Sequence, residues 1–416
     1  MSPSAPAMHI LLIHRAFAQS NQPGGTRHIE LSRALVSKGH RITVVTSTVS
    51  YLQADSGRAI PAPSSRETIE PGIEVIRCGG GTSGGTFFSR LGGMFGFMFR
   101  GFAAGLSVRN VDLVWATSPT LFQALAAFLV GLLKHRPVIL EIRDIWPDAL
   151  EDIGALRNPL AIAVSRALAQ VLYKNAKVII INSPGFRAHL IACGVPAAKI
   201  HLVANGVDID MFDPNSDGSD MRTQLDWQGK YVVLYSGAHG MANDLDTLLD
   251  AARGLKDFPE ARIVLLGDGP EKARLIARAQ AEGLDNVQFL DAVPKNEMAQ
   301  ILTATDCCVA HLKPSAMQAM VYPNKVFDYM AAARPTVLGI GGVIREVIEQ
   351  AQGGLCTEPG DAEGMAAAIR RLARSPAEAK AMGRRARTHV ETHFQRQVIA
   401  ESLLRVLQEF ASPRSR

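Results

Sequence analysis

The sequence predicts an α/β protein made of two domains, each built on a parallel sheet. Short apolar runs rich in Val and Ile alternate with longer stretches of helical periodicity, which is the pattern of parallel α/β sheets. The pattern occurs twice, and a segment rich in Asn, Gly, Asp and Pro, which favour turns, separates the two series. With 416 residues, 47% of them hydrophobic, the chain is long enough to bury two sizeable cores.

The apolar runs give the predicted strands in chain order. In the N-terminal half they cover residues 8–13, 42–46, 112–115, 138–142 and 178–181. In the C-terminal half they cover residues 231–235, 262–266, 287–290, 307–310 and 336–338. Each run has the length and the Val and Ile content of a strand buried on both faces. We therefore predict two parallel sheets of at least five strands.

The turn-rich segment between the two series sets the domain boundaries. We expect a first domain over residues 1–205, a linker over 206–228 and a second domain over 229–390. Residues 391–416 carry a helical apolar pattern that ends in a polar tail. We expect that last helix to pack back toward the first domain.

The composition favours anionic ligands but does not point to nucleic acid. The chain has 44 Lys and Arg against 39 Asp and Glu, which gives a net charge of +5 and a pI near 9.0. It contains no basic run interleaved with aromatic residues and no zinc-finger or RNA-recognition signature, so we expect no nucleic-acid partner. The five cysteines are scattered and odd in number, which indicates neither a disulfide framework nor a metal site.

The N-terminus lacks the features of a secretory signal, because residues 1–8 carry no positive charge ahead of an apolar core. Apolar stretches such as residues 120–133 are shorter than the roughly 20 residues that span a bilayer. We therefore expect a cytoplasmic protein without a transmembrane helix.

One aromatic segment is unusual for such a protein. Residues 87–102 contain six phenylalanines and two methionines together with Arg90 and Arg100. This composition is typical of a segment that lies in a lipid headgroup layer, with Phe97, Phe99 and the two arginines as contacts. A buried core helix, or a loop that covers a pocket, explains the same residues equally well, since the glycines weaken a helix.

The stretch 322–335 carries the strongest chemical signal in the chain. Pro323 can begin a helix, whose free amide groups and positive dipole end attract phosphate. Lys325 and Asp328 are three residues apart and so lie on one helical face. The ammonium can meet a phosphate oxygen while the carboxylate accepts ribose hydroxyls. The pattern therefore predicts a nucleotide diphosphate site, and a simple surface ion pair is the alternative.

Two glycine-rich turns follow predicted strands and are candidate phosphate loops. Gly24 and Gly25 precede a predicted helix, and their missing side chains let an anion approach the backbone amides. Their spacing does not match the three-glycine dinucleotide fingerprint. Gly267 and Gly269 form the second turn, with Lys272 close enough in sequence to reach a diphosphate. Ordinary strand-to-helix turns have the same composition, so each turn is either a phosphate-binding loop or a simple connection.

Several motifs occur together in a fixed order. The first unit has paired glycines before an Ala-Leu-x-x-x-Gly-His turn, the linker reads Asn-Gly-Val-Asp with a following Phe and Pro, and the second unit has a Leu-Gly-Asp-Gly-Pro turn. The positions are Gly24, Gly25, Ala34, Leu35, Gly39, His40, 205–208, Phe212, Pro214, 266–270 and the closing stretches 341–346 and 353–361. Over nearly the whole chain this order resembles the retaining glycosyltransferases of family four. Residues 141–148 and 323–330 resemble its bacterial enzymes that build O-antigen, capsule or exopolysaccharide.

The resemblance implies the GT-B fold, in which two Rossmann-like domains with parallel sheets face a central cleft. It also implies that the C-terminal domain binds a nucleotide-sugar donor and the N-terminal domain the acceptor. Asp328 would hold the ribose where relatives have glutamate, while the first glutamate of the family pair falls on Met320. The usual Arg and Lys are missing from residues 236–244. The donor-binding residues expected from the resemblance are Gly24, Gly25, Gly237, His239, Gly267, Gly269, Lys272, Val293, Asn324, Lys325 and Asp328.

The implied reaction displaces a nucleotide diphosphate from an anomeric carbon with retention of configuration. Lys325 is the predicted catalytic cation for the leaving phosphate, and we expect neither a metal nor another cofactor. Asp144 follows a predicted strand at the edge where open sheets bind ligands, which makes it the second catalytic candidate, near the acceptor. A helix cap or a pair with Arg143 is the alternative for Asp144. Asp148 and Glu151 are weaker candidates.

The resemblance therefore implies a hexosyl- or N-acetylhexosaminyl-type transferase. Its donor would be a UDP-sugar, with N-acetylated and deoxy sugars among the candidates, and its acceptor a polyprenyl-diphosphate-linked saccharide. It would act as a peripheral protein on the cytoplasmic face of the inner membrane, in lipopolysaccharide or exopolysaccharide biosynthesis. Two alternatives stay open: a non-catalytic sugar-nucleotide-binding protein, and a UDP-sugar 2-epimerase on the same fold.

Overall fold

The structure is a computed structural model that describes residues 7–48, 64–79 and 87–410. The chain forms two compact units. The first comprises Met1–Gln19, Gly24–Ala204 and Gln397–Arg416, and the second comprises Ser20–Pro23 and Asn205–Arg396.

The described residues of the first unit form one eight-stranded sheet. Its strands are β1 (His9–Ile13), β2 (Arg41–Ser47), β3 (Ser65–Glu70), β4 (Ile73–Cys78), β5 (Leu113–Thr117), β6 (Val138–Ile142), β7 (Val178–Ile181) and β8 (Ile200–Leu202). They lie in the order β3-β4-β2-β1-β5-β6-β7-β8, and only the β3–β4 pair is antiparallel. The strand order reverses between β1 and β5, which are direct neighbours.

Helices connect these strands on both sides of the sheet. They are α1 (Arg27–Ser37), α2 (Phe87–Ser107), α3 (Leu121–Leu133), α4 (Asp148–Asp152), α5 (Pro159–Asn175) and α6 (Phe186–Ala192). Helix α3 packs against both α2 and α5. Within the described part of the chain, no helix has the length and apolar character needed to cross a membrane.

The second unit contains a six-stranded sheet in which every pair is parallel. Its strands are β9 (Tyr231–Ser236), β10 (Ala261–Leu266), β11 (Val287–Leu290), β12 (Cys307–His311), β13 (Thr336–Gly339) and β14 (Gly354–Cys356), in the order β11-β10-β9-β12-β13-β14. The order reverses between β9 and β12. The helices are α7 (Ser219–Gln224), α8 (Leu245–Gly254), α9 (Lys272–Ala281), α10 (Lys295–Thr303), α11 (Asn324–Ala331), α12 (Val343–Ala351), α13 (Ala362–Arg374) and α14 (Pro376–His393).

The last helix, α15 (Arg396–Phe410), completes the first unit although it follows the second in sequence. Its buried residues Ile399, Leu403 and Leu407 join one core cluster with Ile10 of β1 and Trp115 of β5. The segment before β9 belongs to the second unit, where Phe212 and Trp227 are buried in the core.

The α/β fold class with two parallel-dominated sheets is confirmed. All ten strands predicted from the sequence are present within two residues of their expected bounds. Four further strands, β3, β4, β8 and β14, were not predicted.

Candidate functional site

The second unit presents its candidate site at the reversal point between β9 and β12. Gly237 directly follows β9 and His311 ends β12, so both lie at the carboxyl edge of the sheet. Open α/β sheets bind ligands at this edge, because the connections on either side diverge and leave a crevice. Nε2 of His311 lies 3.2 Å from Oδ2 of Asp244, and this contact, with burial opposing it, lowers the pKa of the Asp244 carboxyl.

Three glycines shape the two turns at this edge. Gly237, Gly267 and Gly269 all have positive φ, between 137° and 155°. A Cβ on Gly267 would collide with the carbonyl oxygen of Gly237, and one on Gly269 would lie 2.5 Å from that of His239. The two turns therefore pack backbone against backbone, an arrangement that only glycine permits.

Lys325 places its ammonium beside the first of these turns. Its Nζ lies 3.8 Å from the centre of the Tyr235 ring and 3.4 Å from Oδ1 of Asn243. A Cβ on Gly237 would lie 2.8 Å from the same nitrogen. Burial lowers the pKa of Lys325 to about 7. The side chain can therefore take up a proton when an anion binds next to it.

His239 is fully buried in the same turn, and neither of its ring nitrogens has a hydrogen-bond partner among the described residues. Burial lowers the pKa of His239 to about 3, with smaller contributions from Lys272 and Lys325, so the ring is neutral. One neutral ring nitrogen carries a proton that it can donate. This fits the expectation that His239 helps to bind the nucleotide-sugar donor.

Helix α11 begins at Asn324, directly after Pro323, as predicted. Both carboxylate oxygens of Asp328 lie 2.7 Å from Nζ of Lys295, and each of these side chains is 13% exposed. Lys295 was not predicted as a site residue. Its position in the sequence, at the start of α10 and shortly after the carboxyl end of β11, could have indicated it as a site residue. The carboxylate has more acceptor positions than one ammonium uses, so Asp328 can still accept hydroxyl groups.

Lys272 differs from its expected role. Its ammonium donates to the carbonyl oxygens of Gly267 and Leu290 at 2.8 and 3.0 Å, and it pairs with Asp291 at 2.7 Å. These contacts use all three donors of the ammonium. Lys272 therefore fixes the Gly267 turn to the end of β11, and the expectation that it carries phosphate charge is corrected.

The remaining predicted donor residues lie around these groups. Val293 packs partly buried against the core of the second unit. Asn324 is the first residue of α11, and its buried side-chain oxygen has no partner among the described residues. Met320 ends a short 3-10 turn, where Gly342 has positive φ and leaves no room for a Cβ next to the Ala319 carbonyl.

The first unit has its own candidate site at the reversal point between β1 and β5. His14 follows β1, and its Nδ1 is 2.9 Å from Oγ1 of Thr117 at the end of β5. Arg143 donates to Nε2 of His14 at 3.4 Å, so the ring donates from Nδ1. A Cβ on Gly25 would lie 4.0 Å from the Arg143 guanidinium. The turn that contains Gly24, which has a φ of 135°, therefore meets this cluster.

Asp144 lies directly after Arg143. Burial raises the pKa of the Asp144 carboxyl to about 6, and Arg143 opposes the shift. A carboxylate with this pKa can accept a proton near neutral pH. Asp148 and Glu151 are held instead by Arg166, at 2.9 and 2.6 Å, and Asp148 also contacts His189.

Next to this cluster lies a buried charged network that was not predicted from the sequence. Glu141 is fully buried at the end of β6 and accepts hydrogen bonds from Arg27 at 2.8 Å, from His28 at 2.9 Å and from Nε1 of Trp115 at 2.9 Å. Burial would raise the pKa of Glu141, but Arg27 and His28 outweigh it and hold that pKa well below its usual range. A single glutamate inside an apolar strand was the signal for this network.

The aromatic segment forms helix α2, whose side chains are described from residue 92 onward. Arg90 therefore lies in α2 with its side chain outside the described part. Phe97 is 4% exposed and packs inward, which corrects its assignment as a surface contact, because a 3.6-residue period turns it away from Phe99. Phe99 is 65% exposed and Arg100 is also exposed.

Two family models match the chain in succession. Residues 24–206 match the glycosyl transferase 4-like domain, and residues 219–389 match the glycosyl transferases group 1. Among curated proteins, the chain is 26% identical over 353 residues to the putative colanic acid biosynthesis glycosyl transferase WcaI of Escherichia coli K12, a match that covers 82% of this chain and 86% of that protein.

Solved structures share the fold. Sucrose-phosphate synthase from Thermosynechococcus elongatus superimposes with a TM-score of 0.76 at 20% identity, covering 97% of this chain and 98% of that one. Anabaena HepE in complex with UDP-glucose superimposes with a TM-score of 0.71 at 18% identity, covering 97% of this chain and all of the other.

Proposed function

Since the chain belongs to the glycosyltransferases of family four, with the GT-B fold, we propose that it transfers a sugar from a UDP-linked donor to a polyprenyl-diphosphate-linked saccharide with retention of configuration. The reaction would serve bacterial polysaccharide biosynthesis, in line with the relative WcaI, which is named for colanic acid biosynthesis. The UDP-glucose bound to HepE supports the choice of nucleotide. The enzyme would act as a peripheral protein on the cytoplasmic face of the inner membrane.

The observation that carries the proposal is the group of residues around Lys325. A largely desolvated ammonium, the His239 ring and the tight turn at Gly237 lie together at a sheet edge suited to ligands. The two ring nitrogens of His239 have no hydrogen-bond partner within the described part of the chain. An anion placed there would gain a charge-assisted hydrogen bond from the lysine and a donor from the histidine. In the reaction, the same groups would stabilise the charge that grows on the leaving diphosphate. We propose that no metal is needed for this step.

Asp328 would bind the ribose, held in position by Lys295. Isothermal titration with UDP, GDP and NAD in parallel tests the proposal. We expect selective binding of UDP, and Asp328→Ala should weaken it by about 1.5–3 kcal/mol through loss of charged hydrogen bonds. The matched control is Asp257→Ala, because Asp257 lies in the same unit and its side chain is 73% exposed. Binding of NAD alone, or equal UDP affinity in all three proteins, would contradict the donor assignment.

Asp144 would act near the acceptor as the proton-accepting group. Because the folded-state pKa is about 6, its carboxylate form is lost as the pH falls through 6, and transfer should decline over the same range. Asp144→Asn should lower transfer by about 10²-fold and remove this acidic limb, while UDP affinity stays unchanged. The release of UDP from UDP-sugars in the presence of a lipid-linked acceptor measures the transfer rate and its dependence on pH.

Asp152→Asn is the control for this experiment, since it makes the same change on the exposed end of α4. If Asp144→Asn keeps full activity and its transfer rate still declines below pH 6, the catalytic assignment is wrong. In that case the departing diphosphate alone would take the acceptor proton.

A further inference from the structure

Three neighbouring helices of the first unit, α2, α3 and α5, expose large apolar side chains together. We call this the three-helix surface. Eight of the twelve exposed large hydrophobic residues in the described chain lie on it, so they are concentrated and not scattered singly over the surface as is usual. They are Phe95 and Phe99 on α2, Leu129, Leu132 and Leu133 on α3, and Leu160, Val164 and Val171 on α5.

The exposure of apolar side chains is clearest on the middle helix, α3. Helix α3 contains no charged residue, and its outward positions are also leucine or phenylalanine. Leu132 and Leu133 are 70% and 58% exposed, whereas Ala124 and Ala127 of the same helix are completely buried. A helix that is apolar on every side normally lies in a core or against a membrane or partner. At 13 residues, α3 is too short to span a bilayer.

The charges of the three helices are of one sign. Together they carry Arg90, Arg100, Arg166 and Lys174, and no aspartate or glutamate. Arg166 pairs with Asp148 and Glu151 of α4, whereas Arg100 and Lys174 are exposed. Cations at the rim of an apolar surface suit the anionic headgroups of phospholipids. A second copy of the chain fits less well, because a two-fold interface places the same patch on both sides and would bring cation against cation.

We propose that the three-helix surface is the membrane-docking face of this protein and that its ligand is a bilayer rich in anionic phospholipid. Phe99, Leu132 and Val164 insert into the boundary between headgroups and acyl chains, with Arg100 and Lys174 at the level of the phosphates. The inference rests on the proposed function, in which the acceptor is lipid-linked, and it extends the docking face from one aromatic segment to three helices.

The test is sedimentation of the full chain with vesicles of phosphatidylglycerol and phosphatidylethanolamine, and with vesicles of phosphatidylcholine alone. The wild type should bind the anionic vesicles at least about tenfold more tightly than the neutral ones. Leu132→Glu and Val164→Glu should each reduce anionic-vesicle binding by about tenfold or more, because a carboxylate is costly to bury among acyl chains.

The matched control is Val398→Glu, because Val398 is a valine of the same unit, 48% exposed, on a helix outside this surface. Circular dichroism and UDP titration establish that each variant is folded. The proposal is overturned if Leu132→Glu and Val164→Glu sediment like the wild type, or if light scattering shows a dimer that both variants dissociate. Failure of UDP to bind would instead remove the proposed function, and vesicle sedimentation does not depend on it.

Discussion

Replacing Glu141 with glutamine is expected to lower the free energy of unfolding of the first unit by about 3–5 kcal/mol. The carboxylate is fully buried and accepts from Arg27, His28 and Trp115. Glutamine has the same shape but no charge, so the buried guanidinium of Arg27 loses its counter-ion. The amide group of glutamine also turns donor hydrogens toward residues that are themselves donors.

Urea denaturation followed by tryptophan fluorescence measures this effect, since Trp115 is part of the network. Glu74→Gln is the control, because Glu74 is a glutamate of the same sheet that pairs with the exposed Arg66. That substitution should cost at most about 1 kcal/mol. If Glu141→Gln unfolds at the same urea concentration as the wild type, the buried network does not stabilise this unit.

Replacing Lys325 with methionine is expected to weaken UDP binding by about 2–5 kcal/mol, since it removes the charged partner from a largely desolvated site. The free protein should become more stable. The folded-state pKa of Lys325, about 7, lies below its ordinary value of 10.5, so protonation opposes folding wherever the pH is below 10.5. Methionine has a similar length and carries no charge. Opposite changes in melting temperature and affinity would identify Lys325 as a binding group and exclude a structural role.

The pKa of Lys325 also predicts how UDP binding depends on pH. An anion raises the pKa of Lys325 on binding, so the affinity is constant below pH 7 and falls by about tenfold per pH unit above it. Titrations between pH 7.5 and 9 avoid the phosphate ionisation of UDP near pH 6. In buffers of different ionisation enthalpy, the wild type should take up a proton and Lys325→Met should not.

Lys272→Met provides the comparison. In the structure the ammonium of Lys272 contacts two carbonyl oxygens and Asp291. Removal of this ammonium should therefore leave the pH dependence of UDP binding unchanged. If Lys272→Met abolishes proton uptake while Lys325→Met retains it, the assignment of the two lysines is reversed.

The strands that are buried on both faces were predicted from the sequence, because each is a short apolar run that alternates with a longer stretch of helical periodicity. The sequence pattern did not predict β3, whose residues Ser65–Glu70 are largely exposed and paired through charges such as Arg66 with Glu74. The strands β8 and β14 have three residues each, too few to show a pattern. Their existence depends on a neighbouring strand that offers hydrogen bonds.

The candidate site likewise contains some features that have a local sequence pattern and others that do not. The turn at Gly267 and the helix that carries Lys325 were predictable from local spacing, whereas Gly237 was expected only from the family resemblance. The pair of Lys295 with Asp328 joins residues 33 positions apart, and the pair of Arg27 with Glu141 joins residues 114 positions apart. No local pattern contains such pairs. The role of Lys272 was mispredicted for the same reason, since two of its three partners, Leu290 and Asp291, lie at the end of a neighbouring strand.

The position of α15 affects the order in which the chain can fold during its synthesis. Ile399, Leu403 and Leu407 complete the core of the first unit, yet they leave the ribosome after all of Asn205–Arg396. Domains usually fold in the order in which they are made. Here the second unit has its whole sequence available first, while part of the apolar surface of the N-terminal sheet stays uncovered until α15 has been made.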